Sequence, residues 1–390
     1  MSRGGLSPRP LVVGNDANST TCLVCGQRLV KNGKTPAGTQ RWRCLNCGSS
    51  SVRKRADLAR RNELREFLQW LLGKHSQNEL GGPSAARQLR RRTAWCWEIE
   101  PTLGPVETTH PVVLVDGIYV GSWCLLIAVT EDLQVLAWQW CARESAAAWT
   151  ALLTRIPAPL VVVCDGGAGF ASAVRVGWPD TKIQRCIFHV QMNVRRHLTL
   201  RPRTHAGRDL LKLSRALSWV VDADTAVAWQ LGLQAWWQQH GQLTKQRSTD
   251  GWSKWWTHDR LRKAWLLLSR LSGNGHLFTF VSHGNVRTTS PLEGGINNGI
   301  RTTLRNHRGM SEAHMKRAAE WFLYTRELIH TFCPISLSGR LFARWRGMRK
   351  ARFLERKRAL CRSYILLFRA IPTCADLVAG AGFEPTTSGL

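Results

Sequence analysis

The chain has 390 residues, enough for two or three domains and a sizeable core, and carries a net charge of +29 with a pI near 10.9. A positive field of that size selects polyanions, nucleic acid first and an anionic membrane surface second. No apolar run approaches the roughly eighteen residues of a membrane span, and Met1-Ser2-Arg3-Gly4-Gly5 begins no apolar signal core, so neither a span nor a secretory leader is expected and the location expected is cytoplasmic, on the nucleoid.

The basic charge gathers at both ends. Residues 1–100 hold 18 Lys and Arg against 7 Asp and Glu, and residues 301–370 hold 17 against 4. The Gly-, Pro-, Asn- and Ser-containing stretch 1–19 is expected to be disordered. Residues 20–52 carry two cysteine knuckles, Cys22-Leu23-Val24-Cys25 and Cys44-Leu45-Asn46-Cys47, each followed by glycine (Gly26, Gly48). Four thiolates at this spacing suit one tetrahedral Zn²⁺, and with every position filled the zinc is structural: a zinc ribbon. Arg41-Trp42-Arg43 runs into the second knuckle and is expected to meet DNA.

Residues 57–98 read as two helices. Leu64, Phe67, Leu68, Leu71 and Leu72 form a helical stripe, a Gly81-Gly82-Pro83 break follows, and Ser84 is placed to cap a second helix from Ala85 to Trp97. A helix-turn-helix-like unit would present Arg87, Gln88, Arg91 and Arg92 to the major groove; a solvated basic helix is the ordinary alternative.

After a linker, 101–111, strands are expected at Val112–Val115, Trp123–Val129 and Leu133–Cys141, with a turn region from Gly117 to Gly121. A helix over Ala146–Arg155, a strand over Leu160–Cys164, a short helix over Gly169–Arg175, a strand over Lys182–Arg185 and a helix over Phe188–Leu198 complete a β-β-β-α-β-α-β-α order. That is the order of an RNase H-like α/β sheet, with a first part at 110–198 and a second at 286–330. Between them, 199–285 loses strand character and holds Trp219, Trp229, Trp236, Trp237, Trp252, Trp255, Trp256 and Trp265, which reads as an all-helical insertion. Most of these indoles belong in a core; one or two are free to stack on a base, and Trp236 and Trp237 cannot share a helix face. Residues 331–390 form a basic tail.

Three acidic residues carry the chemistry. Asp116 closes the apolar run Val112–Val115, and Asp165 closes Val161–Cys164. A lone Asp at a strand end is ordinarily a cap, but two ends of buried, β-branched strands put two costly carboxylates at one sheet edge, where a cation compensates them. Each is followed by glycine (Gly117, Gly166), expected to admit a phosphate backbone. Glu293 leads a helix with Asn297 at i+4 and Arg301 at i+8 on the same face. Glu293 would join Asp116 and Asp165 on Mg²⁺ or Mn²⁺, Asn297 would hold a water or phosphate, and Arg301 would clamp phosphate. Helix capping is the ordinary alternative for Glu293.

Val115-Asp116-Gly117, Cys164-Asp165-Gly166-Gly167 and Ser290-Pro291-Leu292-Glu293, with Gln184-Arg185-Cys186-Ile187-Phe188-His189-Val190 between them, resemble bacterial insertion-sequence transposases of the Mutator-like DDE superfamily over roughly 20–330. The resemblance implies an RNase H-like catalytic domain with a helical insertion, metal-dependent DNA cleavage and strand transfer, and Cys186 and His189 as active-site support. A packed thiol beside a satisfied histidine is the plainer reading of that pair. It also implies DNA partners, the terminal inverted repeats of the element and the target, held by a homo-oligomer. The competing readings are a zinc-ribbon regulator without catalysis, an inactive transposase copy, and an RNase H-like nuclease acting on branched DNA. The end of the chain, Ala379 to Leu390, resembles the peptide read from the antisense of a transfer-RNA gene, and is expected to be read-through beyond the element.

Overall fold

A computed structural model describes residues 22–332 apart from 23–24, 26, 53–55, 81, 249–255 and 285. The segment 1–19, the tail beyond 332, Trp252 and Trp255 lie outside the described residues. The chain divides into two units, 1–64 and 65–390.

In the first unit β1 (Leu29–Lys34), β2 (Gln40–Cys44) and β3 (Ser50–Val52) form an antiparallel sheet in that order. Alternation along β2 buries Trp42 and Cys44 and exposes Arg41 and Arg43. Trp42 therefore packs inward, contrary to the expectation that it faces DNA; its two arginine neighbours keep the outward face. The helix α1 (Ala56–Leu71) spans the boundary between the units in sequence.

The second unit continues with α2 (Gly82–Thr93). Ala86, Leu89 and Thr93 are buried, one turn apart, while Arg87, Gln88, Arg90 and Arg91 are exposed. The helix starts ahead of Ser84, which lies in its first turn rather than capping it, because Pro83 has the fixed φ that a first turn accepts. It ends at Thr93, whose hydroxyl donates to Leu89 O at 2.8 Å, and Ala94–Trp97 tighten into a 3₁₀ turn that buries Cys96. Residues 72–81 connect the two helices, well beyond the roughly 3–4 residues of a helix-turn-helix, so the pair is not that motif in its compact form.

Five strands then form a mixed sheet of order β6-β5-β4-β7-β8. They are β4 (Val112–Val120), β5 (Trp123–Thr130), β6 (Val135–Cys141), β7 (Val161–Cys164) and β8 (Lys182–Arg185). β4, β5 and β6 are antiparallel neighbours, and β7 and β8 join β4 in parallel. β4 does not stop at Val115. It continues through Asp116 and Gly117 because its pairing with β5 runs unbroken from Val113↔Thr130 to Val120↔Trp123, and Ile118 and Val120 are buried.

The helices α3 (Ala146–Leu153) and α4 (Ala168–Gly177) cover one sheet face, packing Trp149, Leu152, Phe170 and Val174 against Val113, Val115, Val162 and Cys164. Ser145 caps α3 by accepting from the Ala148 amide. The helix α5 (Ile187–Leu198) follows β8, and α6 (His205–Ala216), α7 (Ala223–His240), α8 (Asp259–Gly273) and α9 (Thr279–Ser282) build a second core. Ile187, Val190, Val194 and Leu198 pack into that core, so the helical body begins with α5 rather than at residue 199. Trp229 and Trp236 are buried, their indole N–H groups donating to Leu213 O at 2.8 Å and Ala206 O at 2.9 Å. Trp237 is half-buried against Trp265, ring centroids 3.9 Å apart.

The chain returns through α10 (Ser290–Leu292), a widened turn over Glu293–Asn297 and α11 (Asn298–Asn306). Gly309 at φ +85° turns it into α12 (Glu312–Phe332). That helix lies on the second sheet face, where Glu320 accepts from the Trp140 indole at 2.8 Å, Trp140 being the cross-strand partner of Leu125. Residues 307–311 separate α11 from α12.

Candidate active site

The sheet register sets the site. Val112, Val113 and Leu114 pair with Val161, Val162 and Val163, which brings Asp116 level with Asp165 on adjacent parallel strands. Alternation sends Val113, Val115, Val162 and Cys164 toward α3 and α4, so both carboxylates belong to the opposite face. Burial, then the negative charges of Glu293 and Asp165, push the Asp116 carboxyl up to about 7.

Glu293 opens the widened turn, in which the Asn298 amide reaches back five residues to Glu293 O. Such turns insert one extra residue into a helix and are often found where side chains must converge. Here Asn297 is buried and its Nδ2 donates to Asp116 Oδ2 at 2.7 Å. Its Oδ1 is also buried and has no donor among the described residues. Arg301 is exposed on α11 and touches none of the acids, so the structure brings Glu293 and Asn297 to the site but not Arg301; the extra residue in the turn shifts it off the shared face.

Cys186 and His189 lie behind Glu293. Cys186 is buried at the start of α5, and the Thr289 amide donates to its Sγ at 3.3 Å. The Thr289 hydroxyl is 2.7 Å from Glu293 Oε1 and 3.3 Å from the same sulfur. His189 Nδ1 stands 3.8 Å from Glu293 Oε1. Burial raises the Cys186 thiol, but bonds with His189 and Thr289 outweigh it and hold the thiol below its ordinary value. The bond to Cys186, aided by the negative charges of Cys186, Glu293 and Asp165, lifts His189 to about 9 against its own burial. Thr289 thus links Glu293 to Cys186, whose amide donates to Cys164 O at the end of β7.

Two further residues escaped the sequence reading. Arg185 donates from Nη2 to the Asp165 carbonyl. Its guanidinium fills the space beside Gly166, where a Cβ would fall 1.7 Å from Cζ, and Gly166 has φ +89°. Glu144 stands against Gly117, its Oε1 2.7 Å from where a Cβ would be; burial and then Asp165 raise its carboxyl. The two glycines thus make room for protein side chains, not for a phosphate backbone as expected. Thr289, Arg185 and Glu144 meet the acids only through folding, and no spacing in the sequence marks them.

Tight groups of three or more potential ligands among the described residues are Cys22/Cys25/Cys44/Cys47 and Cys186/His189/Glu293, each within 4.8 Å. In the first, Cys22 Sγ lies 3.5 Å from Cys47 Sγ and Cys25 Sγ 3.4 Å from Cys44 Sγ. Four sulfurs about 2.3 Å from one tetrahedral ion would stand roughly 3.8 Å apart, so the group fits Zn²⁺. The Ser49 amide draws the Cys47 thiol down, but desolvation and the sulfurs of Cys22, Cys25 and Cys44 push it up to about 12, a conflict that a cation relieves. At Asp116 the donor set is carboxylate and amide oxygen, which suits a hard divalent ion, and the undonated Asn297 Oδ1 beside it fits the same ion with its waters.

Of the α2 residues expected to meet DNA, Arg87, Gln88 and Arg91 are exposed, whereas Arg92 is bonded to Glu66 at 2.6 Å. No helix among the described residues is long and apolar enough to cross a membrane.

Residues 106–260 match the sequence profile described as transposase, Mutator family. A 74-residue stretch is 47% identical to the transposase for insertion sequence element IS6120 of Mycolicibacterium smegmatis, covering 18% of this chain and 20% of that protein. The profile takes in Asp116, Asp165, Cys186 and His189 and ends before Glu293. Over residues 106–260, from the linker before β4 to the start of α8, the chain is similar to the Mutator family of transposases.

Proposed function

We propose that this chain is a DDE-type DNA transposase that binds the ends of an insertion element, cuts them and joins them to target DNA. The observation that carries the proposal is the convergence of Asp116, Asp165 and the Glu293 turn at one sheet end, inside a chain whose residues 106–260 match the Mutator family. The mixed sheet with α3 and α4 on one face, α12 on the other and a helical body between β8 and α10 is read as an RNase H-like core, 110–198 with 286–330, interrupted by an insertion.

Asp116, Asp165 and Glu293 would hold Mg²⁺ or Mn²⁺. When bound, a divalent metal supplies Lewis-acid stabilisation of the phosphoryl and leaving oxygens and a nucleophile at neutral pH. The chain's own part is positional. Asn297 orients Asp116 through its 2.7 Å bond, and Thr289 with Cys186 and His189 fixes Glu293. Arg185 holds the Asp165 carbonyl and the Gly166 turn. Water attacks first, breaking a phosphodiester and freeing a 3′-hydroxyl; that hydroxyl then attacks a target phosphodiester, so one bond forms as one breaks in each step. Arg301, exposed one turn beyond Asn297, would meet phosphate only on the approaching DNA.

Arg41 and Arg43 on the zinc-ribbon-like sheet, with Arg87, Gln88 and Arg91 on α2, are the proposed contacts to element ends. Both ends must be held together, which calls for a homo-oligomer on DNA. The test uses the isosteric variants Asp116→Asn, Asp165→Asn and Glu293→Gln. Each is expected to bind element-end DNA like the wild type and to lose metal-dependent nicking. Retained nicking in any of them would remove that residue from the site, and DNA binding by the wild type and all three variants with no nicking by any of them would favour a purely DNA-binding protein.

A further inference from the structure

A cleft of about 440 Å³, lined by none of the three acids, lies between the end of α1, the end of α2 and the loop joining α11 to α12. That size falls in the range of about 300–1,000 Å³ of small-ligand sites. Its walls are tied together: His307 Nε2 is 2.8 Å from Leu71 O, and Asn306 Nδ2 donates to Gly73 O at 3.4 Å. Trp70 and Trp97 form its aromatic side. His314 lies parallel to Trp97, ring centroids 4.2 Å apart and planes 15° from each other, with its own outer side exposed. The Trp70 ring packs on His307 at 4.6 Å, and its buried indole N–H has no acceptor among the described residues.

The polar lining has one sign. Arg90 and Arg308 are exposed at the cleft, Gln77 and Asn78 add amide groups, and no Asp or Glu lines it. Stacked aromatic rings, two guanidinium groups and amides are the complement of a nucleotide: a π-face for the base, forks for the phosphate and donor–acceptor pairs for the base edge. A duplex keeps its bases inside the stack, so a base reaches such a cleft only from a single strand.

We propose that this cleft binds an unpaired nucleotide of a single-stranded DNA segment, its base on the His314–Trp97 stack and its phosphate between Arg90 and Arg308. The proposal rests on the DNA-transposase reading and adds a place for the unpaired strand that cutting and joining produce. α11, which follows the Glu293 turn, runs directly into the cleft loop, so a strand held there is connected to the cutting site by one helix.

The test uses the full-length protein and two labelled DNAs of equal length, a blunt duplex and a duplex with a single-stranded 3′ overhang, read by fluorescence anisotropy. The double variant Arg308→Ala/His314→Ala alters two exposed side chains outside the cutting site. It is expected to weaken overhang binding by about tenfold, the scale of one lost base stack, while blunt-duplex binding stays level. An overhang carrying 5-iodouracil should photo-crosslink to peptides containing Trp97 or His314. Equal loss on both DNAs, no loss on either, or crosslinks confined to other peptides would each overturn the proposal. A free deoxynucleoside monophosphate that binds as tightly as the overhang would assign the cleft to a soluble nucleotide instead and also overturn it. Nicking by the same variant is measured separately, so a protein that cuts no DNA is told apart from one that merely lacks this site.

Discussion

At the scale of single residues, the electrostatics of Asp116 make a measurable claim about the metal-free protein. Burial and two neighbouring carboxylates raise its carboxyl from near 3.8 to about 7. The sign follows from linkage: a raised folded-state value favours the fold while the group is protonated, and that contribution is complete below about 4 and lost as pH rises through 7. In chelator, the melting temperature of the wild type should therefore fall across this window more steeply than that of Asp116→Asn. Added Mg²⁺ at pH 8 should raise the wild type and leave the variant nearly unmoved. Equal pH slopes would mean that Asp116 is not crowded by the other acids. The glycine beside Asp165 gives a second prediction. Gly166→Ala places a Cβ on the Arg185 guanidinium and asks alanine for φ +89°, so a loss of about 1–3 kcal/mol is expected in chemical denaturation. Arg185→Ala should keep the fold and DNA binding and slow nicking by about 10–100-fold, as loss of a supporting hydrogen bond does around metal sites. A slower rate with unchanged metal dependence would instead place Arg185 outside the support of Asp165. The two Asp residues were legible because each closes an apolar run that has to be buried. Arg185 and Thr289 were not, since their partners are assigned only by the sheet register and the return of α10. The adjacent glycines were visible and misread, because a sequence does not say which side chain comes to occupy the space they leave.

At the scale of elements, the sheet was largely legible from β-branched runs and their spacing, and its five strands lie where those runs are. β4 overran its expected end because Ile118 and Val120 pair and pack beyond the polar Asp116-Gly117, a tertiary effect that outweighs local polarity. The widened turn at Glu293–Asn297 was not legible: Gly294 and Gly295 permit it, but only the bond to Asp116 gives it a purpose. The indoles of α7 split as period 3.6 requires, Trp236 inward and Trp237 against Trp265. Trp219, 81% exposed, is the freest of those described in the helical body. For the small sheet of 22–52, four thiols at zinc spacing with few apolar neighbours predict folding linked to metal. Purified protein should hold one Zn²⁺ per chain. Removing it, or Cys44→Ser, should abolish protection of β1–β3 amides from hydrogen exchange while β4–β8 stay protected. Full protection of β1–β3 without metal would assign the cysteines to simple packing.

At the scale of the whole molecule, the net charge of +29 would set how DNA is held under the proposed function. Phosphate contacts release counterions, so binding should weaken steeply with salt while sequence preference comes from the few groups that reach bases. The basic ends were legible from composition, and the helical body between β8 and α10 from the loss of strand pattern after β8. The connector 72–81 is longer than the turn of a compact helix-turn-helix, a length that helical periodicity does not constrain. The central proposal is catalysis at Asp116, Asp165 and Glu293. The most direct measurement is a combined cleavage and strand-transfer assay on element-end DNA with Mg²⁺ or Mn²⁺, run with wild type and Asp165→Asn. Metal-dependent nicking followed by joining to target, both absent in the variant although it binds the same DNA, is the predicted result. Tight binding with no nicking by either protein, or joining that survives Asp165→Asn, would contradict it.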